Sequence, residues 1–194
     1  MAPGRARGLA SRRMLMRADL SVLFVVDVQE RLLPAMADPG AVEAGVARLM
    51  RGARRLGVPL LVTEHYPQGI GPTVASLAGL CTPGERVGKI HFSCADEPGV
   101  RDVLSLLAPR RQAVLCGIEA HVCVLQSALG LAAGGWDVFV VADAVSSRRA
   151  ADRDAGLARL AASGVGVVTG EMVLFEWLRR AGTDEFRDLL GLIR

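Results

Sequence analysis

The run Val22-Leu23-Phe24-Val25-Val26 is a continuous apolar stretch that ends at a carboxylate, Asp27. Its short length and its β-branched and aromatic side chains are typical of a strand that is buried on both faces of a sheet. Comparable runs recur later in the chain, at residues 59–63, 113–117, 137–142 and 165–169. Each of these runs is predicted to be a strand of the same buried sheet.

Helical patterns lie between the predicted strands. Apolar residues recur with the spacing of amphipathic helices at 42–56, 100–107, 122–133 and 150–162, and two more helices are predicted at 172–180 and 184–192. Strands that alternate with helices form parallel sheets whose two faces are covered by the helices. The sequence therefore predicts an α/β fold.

One packed domain is predicted, covering residues 20–194. The chain has 194 residues, of which 51% are hydrophobic, and this is enough to build a sizeable core. Residues 1–19 are predicted to be a disordered basic leader, because five arginines precede the first acidic residue: Arg5, Arg7, Arg12, Arg13 and Arg17. No apolar stretch long enough for an export signal or a membrane span follows, so a cytoplasmic location without membrane contact is expected.

The composition argues against several kinds of partner. Aromatic residues make up 4% of the chain, too few for the stacking platforms that bind nucleic acid, so no nucleic-acid partner is expected. The four cysteines contain no Cys-x-x-Cys pair, and together with the three histidines they match no zinc-site spacing. We therefore expect free thiols in a reducing compartment, no metal and no cofactor.

Residues 64–94 interrupt the alternation of strands and helices. This excursion is rich in glycine and proline, and only a short helix is predicted in it, near 73–80. Long irregular segments of compact domains commonly carry function, and ligands of parallel α/β sheets bind beyond the carboxyl ends of the strands. The polar residues that follow predicted strands are therefore expected to converge on one edge of the sheet: Asp27, Gln29, Glu64, His65, residues 119–123 and Asp143.

Cys123 lies in the stretch Gly117-Ile118-Glu119-Ala120-His121-Val122-Cys123-Val124, near the start of a predicted helix. Unpaired N–H groups and the positive dipole end of a helix favour the thiolate over the thiol. The position therefore predicts a nucleophile at neutral pH. Cysteine is also among the most frequently buried residue types, so a purely structural role for Cys123 is the alternative.

Asp27 and Lys89 are candidates for partners of this cysteine. A carboxylate at the end of a buried strand can exchange a proton near neutrality, or it can simply close the turn that follows. Lys89 is the only lysine among 23 basic residues, which indicates a position that needs a compact ammonium, unless a surface lysine has been kept by chance. Lys89 would hold Asp27 charged, and Asp27 would accept the proton of Cys123.

Four segments together resemble the isochorismatase-like cysteine hydrolase superfamily, which includes nicotinamidases and N-carbamoylsarcosine amidase. They are residues 25–29, 88–93, 117–124 and 141–147. The stretch at 62–67 is most similar to isochorismatase domain-containing proteins and bacterial YcaC-like hydrolases. The resemblance covers residues 22–194 and implies a three-layer α/β/α sandwich with a mostly parallel sheet of about six strands.

The resemblance also implies a catalytic triad of Asp27, Lys89 and Cys123, which are the residues that the chemistry suggests. It further implies a cis peptide bond between Ile118 and Glu119, which would aim the backbone N–H groups of Glu119 and Cys123 at a developing oxyanion. The family reaction would then be nucleophilic attack by a thiol on a carbonyl carbon.

The substrate pocket is predicted from the same edge of the sheet. Nicotinamidases bind a metal through an Asp-x-His pair that is missing from residues 63–67, so a metal-anchored substrate is not expected. Glu64, His65 and Tyr66 are predicted to line the pocket together with Gln29, while His121 either lines it or is structural.

The expected function is hydrolysis of a small amide or carbamoyl C–N bond in a small-molecule substrate. Two alternatives stay open: isochorismatase-type hydrolysis of another bond, and an oligomeric interaction protein with little catalysis. A homo-oligomer is expected in either case, with apolar residues of the C-terminal helices at 173–175 and 189–190 buried between subunits.

Overall fold

The computed structural model describes residues 14–193, and in these residues six strands form one sheet. The strands are β1 (Ser21–Val26), β2 (Leu60–His65), β3 (Arg86–Lys89), β4 (Gln112–Ile118), β5 (Asp137–Ser146) and β6 (Gly166–Val168). Their spatial order is β3-β2-β1-β4-β5-β6, and every neighbouring pair is parallel. The predicted mostly parallel sheet of about six strands is confirmed.

Helices connect consecutive strands and follow the last one. They are α1 (Pro39–Arg55), α2 (Pro67–Ile70), α3 (Ala75–Ala78), α4 (Pro98–Leu106), α5 (Leu125–Ala133), α6 (Ala150–Ala162), α7 (Gly170–Leu178) and α8 (Asp184–Ile193). A π-helical turn, Ala120–Val124, leads directly into α5, and a 3₁₀ turn, Cys94–Asp96, precedes α4. The six helices predicted from apolar periodicity are all present, with ends that differ by a few residues.

The sheet separates two hydrophobic layers. Leu23 and Val25 of β1 face a layer that contains residues of α1 and α7, whereas Val22, Phe24 and Val26 face a layer that contains residues of α4, α5 and α6. Alternate side chains of one strand thus enter opposite layers, as the pleat of a strand requires. The molecule is therefore the predicted three-layer α/β/α sandwich.

The excursion at residues 64–94 is more ordered than the sequence indicates. It contains α2, α3 and the edge strand β3, and its residue Thr73 pairs with Gln29 just beyond β1. The strand β3 is missed by apolar patterning because its residues are Arg-Val-Gly-Lys and only Lys89 among them is buried. An edge strand needs no continuous apolar run, since one side of it stays open to solvent.

Part of the predicted leader belongs to the packed domain. Residues 1–13 lie outside the described residues, but Met16 is fully buried in the core. The Met16 N–H donates to Glu176 Oε2 at 2.6 Å, and the Arg17 N–H donates to Gln112 Oε1 at 2.7 Å. The prediction of disorder up to residue 19 is therefore wrong for residues 14–19, because an apolar anchor follows the arginines.

The C-terminal helices use their apolar residues differently from the prediction. Val173 and Leu174 of α7 and Leu189 of α8 are buried within the chain itself. They are therefore not available to cover a second subunit, and only Phe175 of the predicted group at 173–175 is exposed. Within the described part of the chain, no helix combines the length and the apolar character needed to cross a membrane.

Gly117 sets the close approach of β4 to β1. Its φ is +112°, and a Cβ atom built there would lie 2.1 Å from the Val26 carbonyl oxygen. We expect Gly117→Ala to lower the free energy of unfolding by about 2 kcal/mol or more, because both the backbone angle and the contact forbid a side chain. Urea denaturation measures this loss.

Gly191→Ala is the matched control for this substitution. Gly191 lies in α8, and a Cβ atom built there meets nothing within 4 Å. We expect this change to be neutral or to stabilise the protein by up to about 1 kcal/mol, as alanine does in a helix. Equal effects of the two substitutions would contradict the steric argument.

Candidate active site

The carboxyl ends of the central strands form the edge at which the candidate site lies. The chain leaves β1 towards β2 and β3 on one side and continues from β4 towards β6 on the other, so the strand order reverses between β1 and β4. Such a switch point leaves a crevice at the carboxyl ends of the strands. Asp27 follows β1, Cys123 follows β4, and Lys89 is the last residue of β3.

Asp27 and Lys89 form an ion pair that is shielded from solvent. Lys89 Nζ lies 2.7 Å from Asp27 Oδ2, and both side chains are 0% exposed. The ammonium also donates to the carbonyl oxygens of His91 and Phe92, at 3.0 Å and 3.3 Å. The ammonium is therefore surrounded by two carbonyl acceptors and one carboxylate, which lowers the cost of burying its charge.

Thr63 holds the other side of the Asp27 carboxylate. Its hydroxyl donates to Asp27 Oδ1 at 2.7 Å, while its carbonyl oxygen accepts the Asp27 N–H at 3.1 Å. The Cys94 thiol lies 3.9 Å from the Thr63 hydroxyl and donates to it. Sequence reasoning missed both residues, although strand alternation already places the side chain of Thr63 on the opposite face from that of Glu64.

Cys123 lies in the π-helical turn and is 6% exposed. Burial raises the pKa of its thiol, and so do the negative charge of Asp27 and a side-chain hydrogen bond with Asp27, while the charge of Lys89 acts in the opposite direction. The resting thiol is therefore protonated at neutral pH. The predicted preference for a thiolate is wrong, because desolvation outweighs the effect of the helix start.

The peptide bond between Ile118 and Glu119 is cis. The Glu119 carboxylate is buried and accepts from the Arg148 guanidinium at 3.1 Å through both of its oxygens, and from the Arg148 N–H at 3.1 Å. The backbone carbonyl oxygen of Glu119 accepts hydrogen bonds from the N–H groups of Val122 and Val124. Arg148, which sequence reasoning did not single out, thus fixes the segment that leads into the turn of Cys123.

Gln29 and Glu64 bind residues of the excursion through their side chains. The Gln29 amide donates to the carbonyl oxygens of His65 and Gly71, at 3.0 Å and 2.6 Å, and accepts the His65 N–H at 2.7 Å. Glu64 Oε1 accepts the N–H and the hydroxyl of Thr73, at 2.9 Å and 2.7 Å. The polar atoms of both side chains thus bind the protein, and their place in the pocket wall stays a prediction.

His65 and Tyr66 lie beside the ion pair. The His65 ring stacks on Phe92 with a centroid separation of 5.1 Å. Burial and the positive charge of Lys89 lower the pKa of His65, which favours the neutral imidazole. The Tyr66 N–H donates to the Lys89 carbonyl oxygen at 2.8 Å, while its side chain is exposed. Both residues thus lie near Lys89, and their role in the pocket wall stays a prediction.

His121 shares the π-helical turn with Cys123. Its Nδ1 is 3.0 Å from the Ser147 hydroxyl, which joins the turn to the end of β5. Gly156 of α6 fits closely against its backbone, since a Cβ atom there would lie 3.0 Å from the His121 Cα. The partly buried His121 therefore helps to hold the turn, which is the structural alternative that the sequence left open.

A metal would find few ligands at this edge of the sheet. Among residues 14–193, no group of three or more histidine, cysteine, aspartate or glutamate side chains is arranged to hold a metal ion. The acid of the site is already paired with Lys89. The arrangement is suited to proton transfer between a carboxylate and a thiol instead.

The fold is a three-layer α/β/α sandwich in which a buried carboxylate and ammonium lie near a cysteine. Residues 21–172 match the Isochorismatase domain. The chain belongs to the isochorismatase family of hydrolases, and the predicted resemblance is confirmed.

Known proteins resemble the chain over most of its length. The zebrafish "Isochorismatase domain-containing protein 1" is 37% identical over 182 residues, which cover 90% of this chain but only 61% of that protein. The structure of MAR1 ribonuclease from Caenorhabditis elegans is 32% identical, with a TM-score of 0.86 and coverage of 93% of this chain and 92% of that one.

Bacterial YcaC proteins share the same architecture. YcaC from Pseudomonas aeruginosa, solved with hexane-2,5-diol and covalent acrylamide, is 25% identical, with a TM-score of 0.85 and coverage of 92% of this chain and 91% of that one. The Escherichia coli YcaC gene product, described as an octameric hydrolase, is 22% identical, with a TM-score of 0.86 and coverage of 92% and 90%. At that identity the likeness concerns the fold alone.

Proposed function

We propose that the protein is a cysteine hydrolase that cleaves the C–N bond of a small amide or carbamoyl compound. The observation that carries the proposal is the solvent-shielded pair of Asp27 and Lys89, 2.7 Å apart, beside the protonated thiol of Cys123. A thiol of raised pKa needs a base within the reaction step, and Asp27 is that base. Lys89 keeps the base in its charged form.

The first half of the reaction forms a thioester. Asp27 takes the proton of Cys123 while the sulfur bonds to the carbonyl carbon, and the carbonyl π electrons move onto the oxygen. The backbone N–H groups of Glu119 and Cys123 are proposed to stabilise this oxyanion. When the intermediate collapses, the C–N bond breaks and the nitrogen receives the proton that Asp27 has just taken.

The second half releases the acid. Asp27, again a carboxylate, takes a proton from water while the water oxygen attacks the thioester carbon. The C–S bond then breaks, and the sulfur recovers the proton from Asp27. A departing amine needs a proton far more than an enol or a thiol does, so a carboxylic acid placed beside the nucleophile favours C–N cleavage.

The covalent acrylamide in the P. aeruginosa neighbour supports a reactive nucleophile in this fold. Acrylamide is both a small amide and an electrophile that thiols attack, so its presence there fits a pocket for small amides. We extend both properties to this chain. The four cysteines are free, which fits the proposed cytoplasmic location.

Cleavage of RNA, the activity in the name of the C. elegans neighbour, is a second candidate function. A polyanionic strand needs an accessible positive surface, whereas Lys89 is buried and neutralised by Asp27. The exposed residues next to Lys89 and its acceptors include apolar ones, Ile90 and Phe92. A small uncharged substrate agrees better with these exposed apolar residues. We also propose that a partner subunit of a homo-oligomer covers part of this surface.

Labelling with acrylamide tests the proposed nucleophile. We expect acrylamide to modify Cys123 at least about tenfold faster than Cys116, because Cys116 is 0% exposed and only Cys123 has the ammonium of Lys89 nearby, which lowers the pKa of its thiol. Peptide mapping by mass spectrometry locates the adduct. Cys116→Ala is the matched control and keeps the labelling, whereas Cys123→Ala loses it.

Three results would overturn the proposal in different directions. Labelling that persists in Cys123→Ala would place the reactive thiol elsewhere. A Cys123 that stays unmodified in the folded protein would favour the interaction protein with little catalysis. Cleavage of single-stranded RNA that survives Cys123→Ala would favour the ribonuclease.

A further inference from the structure

The Asp27 carboxylate has two sides with different neighbours. Oδ2 faces the ammonium of Lys89 at 2.7 Å, whereas Oδ1 accepts a hydrogen bond from the Thr63 hydroxyl at 2.7 Å. The proposed reaction uses one lone pair of this carboxylate to accept the thiol proton. The bond from Thr63 therefore fixes which way the carboxylate is turned when it does so.

The Thr63 hydroxyl also accepts a hydrogen bond from the protein. It is fully buried, and the Cys94 thiol donates to it from a distance of 3.9 Å. Burial raises the pKa of Cys94, so this thiol keeps its proton and remains a donor. Cys94 is itself fixed, because its N–H donates to the Ser127 hydroxyl at 2.8 Å. The donors thus run in one direction, from Cys94 through Thr63 to Asp27.

We propose that Thr63 is a positioning residue for the reaction, which holds Asp27 as an oriented carboxylate. This inference rests on the proposed function, because it assigns a role relative to Asp27 acting as the base. A hydroxyl that donates to a carboxylate stabilises the anion and has little to offer the protonated acid. Without that bond, the acid form of Asp27 would appear at higher pH and would be unable to accept the thiol proton.

Other ionisable groups near Asp27 need to be separated from this effect. They lie on different elements: Lys89 at the end of β3, His65 at the end of β2, Cys94 in the 3₁₀ turn and Cys123 in the π-helical turn. The pKa values of both thiols are raised, so neither thiol changes charge in the acid range. His65 does, and its pKa is lowered by burial and by Lys89, so its titration is the one that has to be removed by substitution.

The test follows the release of p-nitroaniline from p-nitroacetanilide between about pH 4 and about pH 9, a range that contains the titration of carboxylates and histidine. We expect Thr63→Val to shift the acid limb of kcat/KM upwards by about 1–2 pH units, the equivalent of one hydrogen bond to a charged group. Thr63→Ser keeps the hydroxyl, so its acid limb is expected to match that of the unmodified protein. The shift persists when His65→Gln is added.

Thr73→Val is the matched control. The Thr73 hydroxyl donates to Glu64 at 2.7 Å, so this variant also loses a threonine–carboxylate hydrogen bond, but outside the ion pair. Its acid limb stays that of the unmodified protein. If Thr63→Val fails to fold, as judged by circular dichroism, Thr63→Ala removes the same hydroxyl without adding an apolar branch and carries the same expectation.

The outcomes distinguish this inference from the proposed function. Release that does not depend on Cys123 and Asp27 would overturn the proposed function itself. Release that depends on both, with the same acid limb in Thr63→Val and in the unmodified protein, would overturn the role of Thr63 alone. A rate that falls equally at every pH would also overturn it, because it would show a merely structural contribution.

Discussion

Replacing Asp27 with asparagine is expected to slow hydrolysis while making Cys123 easier to alkylate. Loss of the base lowers the release of p-nitroaniline from p-nitroacetanilide by about 10²–10⁴-fold, the usual contribution of a general acid–base group. The negative charge of Asp27 and its hydrogen bond both raise the pKa of Cys123, whereas Lys89 lowers it. Without Asp27, the ammonium of Lys89 is left beside the thiol and favours the thiolate.

Two measurements on Asp27→Asn separate these effects. The rate of Cys123 modification by iodoacetamide, followed against pH, is expected to have its midpoint about 1–3 pH units lower than in the unmodified protein. Glu64→Gln is the control, because it removes a carboxylate that binds Thr73 and leaves Asp27 in place. A midpoint that rises in Asp27→Asn, or hydrolysis that survives, would contradict the assignment of Asp27 as the base.

Replacing Lys89 with methionine is expected to destabilise the protein by about 3–5 kcal/mol, because it leaves a buried carboxylate without its counter-charge. Lys89 and Asp27 are both 0% exposed, so water cannot replace the lost partner. The carbonyl oxygens of His91 and Phe92 lose their donor as well. Urea denaturation measures the loss.

The double variant Asp27→Asn with Lys89→Met is the decisive control for this prediction. It removes both charges, so it should be more stable than Lys89→Met alone. An exposed ion pair shows how much less such a substitution costs when water reaches the charges. Arg54 and Glu85 are 2.7 Å apart, but the Arg54 side chain is 43% exposed, and Arg54→Met is expected to cost no more than about 1 kcal/mol. Similar losses for Lys89→Met and Arg54→Met would refute the effect of burial.

Local patterns in the chain were sufficient for most of the fold. The apolar run at residues 22–26 predicts β1, and the alternation of such runs with amphipathic segments predicts a covered parallel sheet. The strand β3 escaped because only one of its residues is buried, and the packing of Met16 escaped because arginines surround it. In both cases the signal is a single buried residue, which has no period to detect.

The surroundings of each site residue depend on the tertiary structure and not on local patterns in the chain. The sequence indicated Asp27, Lys89 and Cys123 through a strand end, a lone lysine and a helix start, and the fold places the first two in contact and brings the charges of both to bear on the thiol of the third. The sequence did not indicate Thr63 or Cys94, because their role depends on which side of Asp27 they approach.

The sequence by itself determined the class of fold, the order of its elements apart from β3 and α2, and the three residues proposed to carry the chemistry. Only the tertiary structure decided that the Cys123 thiol rests protonated, that Gln29 and Glu64 are bound by the loop, and that Thr63 faces Asp27. The physical reason is that periodicity and chain position are properties of neighbours in sequence. Desolvation and hydrogen-bond direction depend on groups that meet only after the chain has folded.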